Sequence, residues 1–383
     1  MHAVEGTDRN MRRLRICHLI TELGPAGAER CVYELARRLD RNCFDVQVAA
    51  LRGGAVADWL AAAGVPVAVL DIRGRWDAGK LLHLVDLLRG RVDLLHTHLF
   101  HADLVGRLAA SLAGVPHLVH TVHTAEGRFR PWQFAAARLL ADRCDRIICV
   151  SPSARDFHAR RAGLPPSRYT VIPNGVDAEA FARDAQARRR LRQQWELADE
   201  QVLLAYVGRL DYEKGIDVLL ATASHLAARG QAVHLVIAGD GPKRRHVENF
   251  IAHGEGGRQC RWLGHVQDVR GVLSASDGLV MPSRWEGFGL AAAEAMACSL
   301  PVIASDVPGL RDLVTPGRTG VLVERNDAVA LAEAIEDLVG DAARRQAMGQ
   351  AGRARIAKDF PLSAMIEAHE QLYLQVAADI VGA

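Results

Sequence analysis

Two short charged motifs carry the residue types that could do chemistry in this chain. The first, at 208–215, supplies Arg209 and Lys214 directly after an apolar run. Two cations beside the start of a helix suit a diphosphate, since basic side chains and helix N-termini both bind phosphate oxygens. The second motif supplies Glu286 and Glu294, whose carboxylates accept the hydrogen bonds that sugar hydroxyls donate. A nucleotide sugar is a ligand that needs both motifs.

The sequence between the two glutamates predicts that they lie in different local structures. Gly287 and Gly289 favour a loop around Glu286 and a helix that starts near Phe288 or Gly289. The free backbone amides at that helix start would face the ligand. The alternative is one loop carboxylate and one solvent-facing helix carboxylate, but the alanines around Glu294 argue against a solvated face.

Histidine pairs end two of the predicted strands and raise the question of a metal site. His96 and His98 alternate at one strand end, and His120 and His123 lie at another, among 16 histidines in all. An alternating pair could bind a metal, but the sequence places no third or fourth ligand, so we predict no metal site. His123 is placed for a ligand beyond the strand, whereas His120 is expected to be a satisfied core residue.

A loop of small residues and a missing acidic motif bear on how a phosphate would be held. The loop at 24–29 follows the first predicted strand, and its small residues would let the backbone approach a phosphate. It is not a G-x-G-x-x-G fingerprint, so a plain strand-to-helix turn is an equal interpretation. The chain contains no D-x-D, the acidic pair with which many transferases hold a nucleotide diphosphate through a divalent metal. We therefore expect Arg209, Lys214 and helix amides to supply the positive field, without a cofactor.

Length and composition are those of a globular protein of two or three domains. The 383 residues are 49% hydrophobic and 24% charged, and the net charge of +2 excludes a polyelectrolyte binder of nucleic acid. The 7 cysteines form no C-x-x-C pair, which favours buried reduced thiols in a cytosolic protein. No apolar stretch reaches the roughly 20 residues that span a bilayer. We expect a cytoplasmic protein, either free or peripheral on the inner face of the cell membrane.

Short apolar runs alternate with helical patterns along the chain, which is typical of parallel sheets built from β-α-β units. Two successive series predict an α/β fold with two doubly wound, Rossmann-like domains that face each other across a cleft. Ligands of such sheets bind beyond the carboxyl ends of the strands, where the charged motifs fall. The arginine-rich stretch 183–192 between the series predicts a solvated helix or linker. The predicted strands are 14–20, 44–51, 65–70, 93–96, 117–122, 146–150, 169–172, 202–207, 233–238, 260–263, 278–281, 301–304 and 320–323.

Taken together and in this order, the motifs resemble the retaining glycosyltransferases of family 4, which have the GT-B fold. The resemblance covers nearly the whole chain, although each motif is weak alone. It implies an acceptor-side domain at 11–180, a nucleotide-sugar domain at 196–360, and a terminal helix at 361–378 that returns to the first domain. The motifs are 24–29, 120–123, 150–153, 172–177, 208–215, 238–242, 263–266 and 286–294.

The resemblance also implies a role for each matching position. Arg209 and Lys214 look like the pair that grips the donor diphosphate, and Glu294 looks like the carboxylate that accepts from the ribose hydroxyls. His123 resembles the active-site histidine near the transferred sugar, and Glu286 resembles a donor-sugar contact. Of these, His123, Glu286, Arg209 and Lys214 would be the catalytic residues. The other implied donor contacts are Gly27, Val266, Phe288, Gly289 and Leu290.

The family implies a UDP- or GDP-sugar donor and a glycan or lipid-linked acceptor, by default in surface polysaccharide or glycolipid assembly. Two positions depart from its pattern: Ala26 stands where the loop usually has a glycine, and Asp312 stands where members often have glutamate. Two rival functions are open. The charged motifs argue against a nucleotide-sugar epimerase, and their joint retention with His123 argues against a non-catalytic sugar-binding protein.

Aromatic and arginine residues are interleaved in a short segment after His123. The segment 126–143 holds four arginines against two acidic residues, with Phe129, Trp132 and Phe134 among them. Aromatic residues together with arginines suit contact with anionic lipid headgroups, which would fit a lipid-linked acceptor. The alternative is that the aromatic side chains pack inward and the arginines are simply solvated.

Overall fold

Two parallel β-sheets covered by helices form the frame of the protein, in a computed structural model that describes residues 12–72, 78–124 and 129–381. The first sheet has seven strands and the second has six. Every strand predicted from the sequence is present, with ends that shift by one or two residues. The strands are β1 (Leu14–Glu22), β2 (Phe44–Arg52), β3 (Val67–Val69), β4 (Leu94–His98), β5 (His117–Val122), β6 (Arg146–Cys149), β7 (Tyr169–Val171), β8 (Val202–Val207), β9 (Val233–Ala238), β10 (Cys260–Gly264), β11 (Gly278–Met281), β12 (Val302–Ser305) and β13 (Gly320–Val323).

Both sheets have the same strand order. The first runs β3-β2-β1-β4-β5-β6-β7 and the second runs β10-β9-β8-β11-β12-β13, with parallel pairing throughout. This is the Rossmann order, in which the direction of winding reverses between the first and fourth strands. The predicted fold of two doubly wound α/β domains is therefore confirmed. The reversal points, where ligands of such sheets bind, lie between β1 and β4 and between β8 and β11.

Helices cover both faces of each sheet, so most strand residues are buried and most of these are apolar. Polar caps start several helices; the hydroxyl of Ser151, for example, accepts a hydrogen bond from the Ala154 amide. The helices are α1 (Gly27–Arg38), α2 (Ala55–Ala62), α3 (Ala78–Leu88), α4 (Phe100–Ala113), α5 (Pro131–Leu139), α6 (Pro152–Ala162), α7 (Ala185–Gln194), α8 (Ile216–Ala228), α9 (Arg244–His253), α10 (Arg270–Ala275), α11 (Leu290–Ala297), α12 (Leu310–Leu313), α13 (Ala328–Val339), α14 (Ala342–Asp359), α15 (Leu362–Val376) and α16 (Ala378–Val381).

The chain returns to the first domain at its C-terminal end, as predicted. The turn before α15 is joined to the first domain by a backbone hydrogen bond from the Val176 amide to the Phe360 carbonyl. Along α15, Met365, Ile366 and Tyr373 are buried in the same core as the first-sheet strands. This helix therefore forms part of the cover over one face of the first sheet.

The arginine-rich stretch forms a helix, as predicted, but it is only partly solvated. Arg189 and Arg190 are exposed, whereas Arg188 and Arg192 turn inward. Arg192 of α7 is 1% exposed and donates to the backbone carbonyl of Ala275 at the end of α10. Arg188 and Arg192 both pair with Asp277, at 2.9 and 3.3 Å. These arginines cap the carbonyls of a second-domain helix, a contact that charge counting alone does not distinguish from solvation.

Two further expectations concern thiols and membrane-spanning segments. All seven cysteines are free, and all except Cys43 are buried, as predicted for structural thiols. Burial raises the pKa of the Cys17 thiol to about 12, which keeps it protonated. Among the described residues, no helix has both the length and the apolar character needed to cross a membrane.

Candidate functional site

The two domains meet where the central strands of both sheets end, and we call the space between these strand ends the crevice. Two contacts show how closely the domains approach each other across it. A Cβ atom on Gly287 would lie 2.0 Å from the carbonyl oxygen of His123, so the two backbones touch. Arg30 of α1 pairs with Glu294 of α11 at 2.7 Å. The predicted site residues of both halves therefore lie on facing walls of one crevice.

Lys214 and Glu286 form an ion pair on the second-domain wall. Lys214 lies in the turn between β8 and α8, and Glu286 follows the neighbouring strand β11. The Lys214 Nζ atom lies 2.7 Å from Glu286 Oε1, which also accepts a 2.8 Å hydrogen bond from the Ser283 hydroxyl. Desolvation lowers the Lys214 pKa, but the charges of Glu286 and Glu213 outweigh it and raise this pKa above its usual value. Lys214 is therefore a cation at neutral pH.

Arg284 fixes the turn that carries Lys214 and Arg209. Its guanidinium donates to the backbone carbonyl of Tyr212 at 2.7 Å and pairs with Asp217 on the first turn of α8, also at 2.7 Å. It thereby ties the loop after β11 to the loop after β8. The predicted cations and the predicted carboxylate Glu286 are held together by this link.

Arg209 lies in the same turn but is more accessible. Half of its side chain is exposed, and its guanidinium pairs within the turn with Asp211 at 2.5 Å and with Glu213 at 3.2 Å. Desolvation lowers the Arg209 pKa, but these carboxylates raise it by a larger amount. The net shift of the pKa is upward, so the positive charge is retained. Arg209 also acts electrostatically on Glu29, a buried residue on α1 of the opposite domain.

Glu29 is a titratable group that is not among the predicted site residues. Burial is the main cause that raises its pKa to about 7, while the charge of Arg209 acts in the opposite direction. An ordinary glutamate is fully ionised at that pH. Glu29 therefore changes charge near neutral pH, and it does so beside a predicted phosphate-binding cation.

Glu294 projects from α11 towards the first domain, where Arg30 is its partner. Burial raises the Glu294 pKa, and the charge of Arg30 opposes that rise. A cavity of about 440 Å³ lies beside the pair and is also lined by Asn174, Asp268 and Leu290. A hydroxyl that binds Glu294 must therefore share the carboxylate with Arg30 or displace it.

Two glycines, one from each domain, allow close packing around the start of α11. Gly289 precedes the helix with φ of 92°, in the left-handed region, and a Cβ there would lie 2.6 Å from Leu310. The helix itself starts at Leu290, one or two residues later than predicted. A Cβ on Gly27, the first residue of α1, would lie 3.2 Å from Leu290, so these two predicted donor contacts are neighbours. Val266 lies after β10 and packs against the second-domain core.

His123 follows β5 and belongs to a row of three hydrogen-bonded imidazoles. Its Nε2 lies 2.9 Å from Nδ1 of His98, at the end of β4. The Nε2 of His98 in turn lies 3.1 Å from Nδ1 of His18, within β1. Burial lowers the pKa of both His123 and His18 to about 3, so both rings are neutral at pH 7. The sequence indicated His98 only as a metal candidate, and His18 was not among the predicted site residues.

His96 and His120 have structural partners. His96 lies 2.7 Å from the Tyr373 hydroxyl through Nδ1 and 2.7 Å from the Thr121 hydroxyl through Nε2. His120 is buried and contacts the Thr97 hydroxyl at 3.0 Å through Nδ1. The structure therefore places His120 in the core, in agreement with its predicted role.

A metal ion would fit the histidine cluster only at the cost of these hydrogen bonds. One ligand atom each from His18, His96 and His98 lie within 4.8 Å of one another, which is close enough to surround an ion. However, both nitrogens of His96 already contact hydroxyl groups, and both nitrogens of His98 contact other imidazoles. The donor set is therefore arranged for hydrogen bonding rather than for coordination.

The aromatic segment beyond the crevice has mixed burial. Arg128 lies outside the described residues. Phe134 is buried, and Phe129 packs against it with ring centroids 5.9 Å apart, whereas Trp132 is 51% exposed. Of the three aromatic residues predicted to face a membrane, Phe134 instead belongs to the interior.

Comparison with known proteins identifies the class. Family models described as "Glycosyltransferase Family 4" and "Glycosyl transferases group 1" match residues 25–180 and 187–355. Alpha-maltose-1-phosphate synthase of Mycolicibacterium smegmatis is 32% identical over 309 residues, which cover 74% of this chain and 79% of that protein. The chain therefore belongs to glycosyltransferase family 4, and it is a transferase with the GT-B fold.

Two other similar proteins cover almost the whole chain. The UDP-Gal:alpha-D-GlcNAc-diphosphoundecaprenol alpha-1,3-galactosyltransferase of Escherichia coli is 27% identical over 383 residues, covering 96% of this chain and 98% of that protein. The crystal structure of Anabaena HepE in complex with UDP-glucose superposes with a TM-score of 0.86 at 23% identity, covering 95% of this chain and 100% of the other. Both domains of this chain therefore have counterparts in these proteins.

Proposed function

We propose that the protein is a retaining glycosyltransferase that moves a sugar from a nucleotide-diphosphate sugar to a glycan or lipid-linked acceptor. One observation carries the proposal: Lys214 and Glu286 meet at the reversal point of the second sheet, with Arg209 in the same turn. Membership of the family supports the donor class. The HepE complexes with UDP and with UDP-glucose, and the UDP-Gal-dependent E. coli relative, support UDP as the first nucleotide to test, with GDP as the alternative.

Donor binding exchanges internal ion pairs for contacts with the donor. The diphosphate brings negative charge to Lys214 and Arg209, which are paired with protein carboxylates in its absence. Glu286 is then free to accept hydrogen bonds from sugar hydroxyls, and Glu294 to accept them from the ribose. Each buried carboxylate keeps a donor throughout the exchange, so no charge is left without a partner.

Cleavage of the sugar–phosphate bond places negative charge on the departing diphosphate. Lys214, Arg209 and the first-turn amides of α11 are fixed before the reaction, so they can stabilise this charge without reorganisation. A departing phosphate oxygen accepts the proton of the acceptor hydroxyl while the hydroxyl oxygen bonds to the anomeric carbon on the same face. Same-face attack retains the anomeric configuration.

We further propose that the acceptor is presented at a membrane surface, in the assembly of a surface polysaccharide or glycolipid. The name of the E. coli relative supports a lipid-linked acceptor. In this chain, α4 and α5 are adjacent, since the Phe100 and Trp132 rings lie 5.3 Å apart. Together with α3 and the residues that flank α5, they expose five large apolar side chains and three arginines. These are Leu82, Leu108, Leu112, Trp132, Leu139, Arg130, Arg138 and Arg143.

Co-sedimentation with liposomes tests the membrane part. We expect binding to vesicles with anionic lipid, weaker binding at high salt, and weaker binding of a Trp132→Ala, Leu139→Ala double variant. Val329→Ala, which removes an exposed apolar side chain from α13 in the other domain, is the matched control. Wild-type protein that stays in the supernatant at low salt would contradict membrane attachment and favour a soluble acceptor.

Product analysis tests the transfer itself. The protein is incubated with UDP- and GDP-sugars and candidate lipid-linked or glycan acceptors, and the product is examined by proton NMR. We expect release of the nucleoside diphosphate only with an acceptor and an unchanged anomeric configuration. A product of inverted configuration would exclude retention, and an epimerised sugar without acceptor would favour an epimerase.

A further inference from the structure

We propose that Asp312 is a positioning residue that joins the loop carrying Glu286 to the first domain and so sets the distance between the donor sugar and the acceptor. This inference rests on the proposed function, with the donor on the second domain and the acceptor on the first. We call residues 286–289 together with 309–313 the wedge, because both of these second-domain segments reach the first domain.

The two segments of the wedge are packed backbone to backbone. A Cβ atom on Gly309 would lie 2.6 Å from the carbonyl carbon of Gly287, and the φ of Gly309 is 84°, in the left-handed region that favours glycine. A Cβ on Gly289 would likewise lie 2.6 Å from the Leu310 side chain, at the start of α12. Any movement of α12 is therefore transmitted to the loop that carries Glu286.

The wedge reaches the first sheet at the ends of two neighbouring strands. After β5, the carbonyl oxygen of His123 lies where a Cβ on Gly287 would come within 2.0 Å of it. After β6, Val150 is 1% exposed and belongs to the same buried apolar cluster as Phe288 and Leu310. Because β5 and β6 pair in parallel, both contacts lie at the same edge of the sheet. The wedge is thus docked by close backbone packing beside one strand and by apolar burial beside the other.

Asp312 adds a directed polar link next to this apolar contact. Its Oδ2 accepts a 2.9 Å hydrogen bond from the backbone amide of Ser153, which follows closely after Val150. Ser153 lies in the first turn of α6, where backbone amides have no partner within the helix. A carboxylate is favoured there as a charged acceptor and by the helix dipole. Apolar packing has no preferred direction, whereas this hydrogen bond fixes one position for the wedge.

The first turn of α6 is otherwise satisfied within the first domain. Its first residue, Pro152, has no N–H group. The Ala154 amide donates to the Ser151 hydroxyl, and the Arg155 amide donates to the Ser151 carbonyl. The Ser153 amide is therefore the group of this turn whose acceptor comes from the second domain. Separation of the domains would expose that amide to water, so its hydrogen exchange reports whether the link is present in solution.

The expected consequence of the link is geometric. The proposed nucleotide contacts Arg209, Lys214 and Glu294 all belong to the second domain, so nucleotide binding does not require the link. Sugar transfer does require it, because a misplacement of roughly 1 Å between reacting groups can lower a rate by about 100-fold. Asp312 should therefore affect turnover and not nucleotide affinity.

Hydrogen exchange of the Ser153 amide, followed by NMR of deuterated protein, tests the link without any substrate. We expect exchange at least about 10-fold faster in Asp312→Ala than in wild type, because the amide loses a charged acceptor. Asp312→Asn keeps an acceptor oxygen and should show an intermediate rate. Equal exchange in wild type and Asp312→Ala would show that the link is not made in solution and would overturn the proposal.

Steady-state transfer with the accepted nucleotide sugar, together with calorimetric titration of UDP and GDP, tests the consequence. We expect Asp312→Ala to lower kcat by about 10-fold or more, while the nucleotide dissociation constant stays within about 3-fold of wild type. Asp312→Asn should retain most of kcat. An unchanged kcat in Asp312→Ala overturns the proposal. So does a matching loss of nucleotide affinity, which would mean that Asp312 supports the second domain instead of joining the two domains.

Asp306→Ala is the matched control, because it removes a carboxylate just before the wedge that pairs with Arg311 inside the second domain at 2.7 Å. It should change neither the Ser153 exchange rate nor kcat. Melting temperatures identify any variant that fails to fold, and the more conservative Asp312→Asn then carries both tests. If the wild type transfers no sugar, the proposed function fails, whereas the Ser153 exchange rate still decides whether Asp312 joins the domains.

Discussion

The two walls of the crevice come from sheets of the same topology but carry opposite kinds of polar group. The first-domain wall has His123, backed by His98 and His18, and burial holds the pKa of His123 and His18 at about 3. On the second-domain wall, Lys214 is desolvated too, yet Glu286 raises its pKa above the ordinary value. Burial alone neutralises a titratable group, whereas burial with an opposite charge preserves its charge. The first wall is therefore suited to an uncharged sugar and the second to a diphosphate.

The largest effect should come from removing a cation of the second wall. We expect Arg209→Ala and Lys214→Ala each to lower kcat/KM by roughly 100-fold or more, because charge on the departing diphosphate would lose a fixed partner. The measurement is steady-state transfer with the nucleotide sugar that the protein accepts. Arg209→Ala is the cleaner variant, since its side chain is half exposed, whereas loss of Lys214 also leaves the buried Glu286 without its cation.

Lys358→Ala provides the matched control for these variants. Lys358 is exposed near the end of α14, so its removal changes the net charge by the same amount without touching the crevice. Near-normal turnover in a folded Arg209→Ala or Lys214→Ala protein would show that the second wall does not stabilise the diphosphate, and the proposed difference between the two walls would be wrong.

A smaller effect is expected at Glu294, which we assign to the ribose. Glu294→Ala should weaken nucleotide binding by about 10-fold, the range expected for a hydrogen bond to a charged group, with a smaller change in kcat. Calorimetric titration with the nucleoside diphosphate measures the affinity directly. Glu333→Ala, at an exposed glutamate on α13, serves as the control. Equal affinity in wild type and Glu294→Ala would mean that the ribose lies elsewhere.

The pH dependence of donor binding should reveal Glu29, the titratable carboxyl beside Arg209. Below a pKa of about 7 it is protonated, and above it adds negative charge near the diphosphate. Donor affinity should therefore fall by about 3-fold as pH rises through 7, and Glu29→Gln should flatten this profile. Because the folded-state pKa is raised, the folded state binds more protons between about 4.5 and 7, and its stability falls as pH rises through that window. Identical profiles in wild type and Glu29→Gln would show that Glu29 does not sense the ligand.

The smallest expected effect is that of chelation. Because cations of the protein face the proposed diphosphate, we expect transfer activity to persist after exhaustive treatment with EDTA. The control is a parallel assay with added magnesium or manganese. If chelation abolished activity and either ion restored it, a metal would supply part of the positive charge that stabilises the diphosphate. The cations of the second wall would then not be sufficient.

The fold could be predicted from the sequence because its signals are local. Every strand was visible as a short apolar run, since strands covered on both faces have no polar side to interrupt them. The stretch 183–192 shows the limit of this reasoning. Its charges indicated a helix, but Arg188 and Arg192 turn inward to Asp277 and to the Ala275 carbonyl, and such distant partners leave no local pattern.

The site could be predicted only where its residues lie in local sequence motifs. Arg209, Lys214 and Glu286 lie at strand ends within recognisable motifs, and the fold brings them together. Arg30 and Glu29 were not predicted as site residues. They lie on the first turn of α1, where nothing in the local sequence indicates a partner in the other domain. His18 lies inside a mostly apolar strand and becomes informative only when the fold brings its Nδ1 within 3.1 Å of His98 Nε2.

Calorimetric titration of UDP and GDP against wild type, Arg209→Ala and His123→Ala tests the division between the two walls most directly. We expect one nucleotide to bind the wild type, the Arg209 variant to bind it at least about 10-fold more weakly, and the His123 variant to bind within about 2-fold of wild type, because the imidazole faces the sugar and not the diphosphate. Equal weakening by both variants, or no binding of either nucleotide to the wild type, would contradict the account.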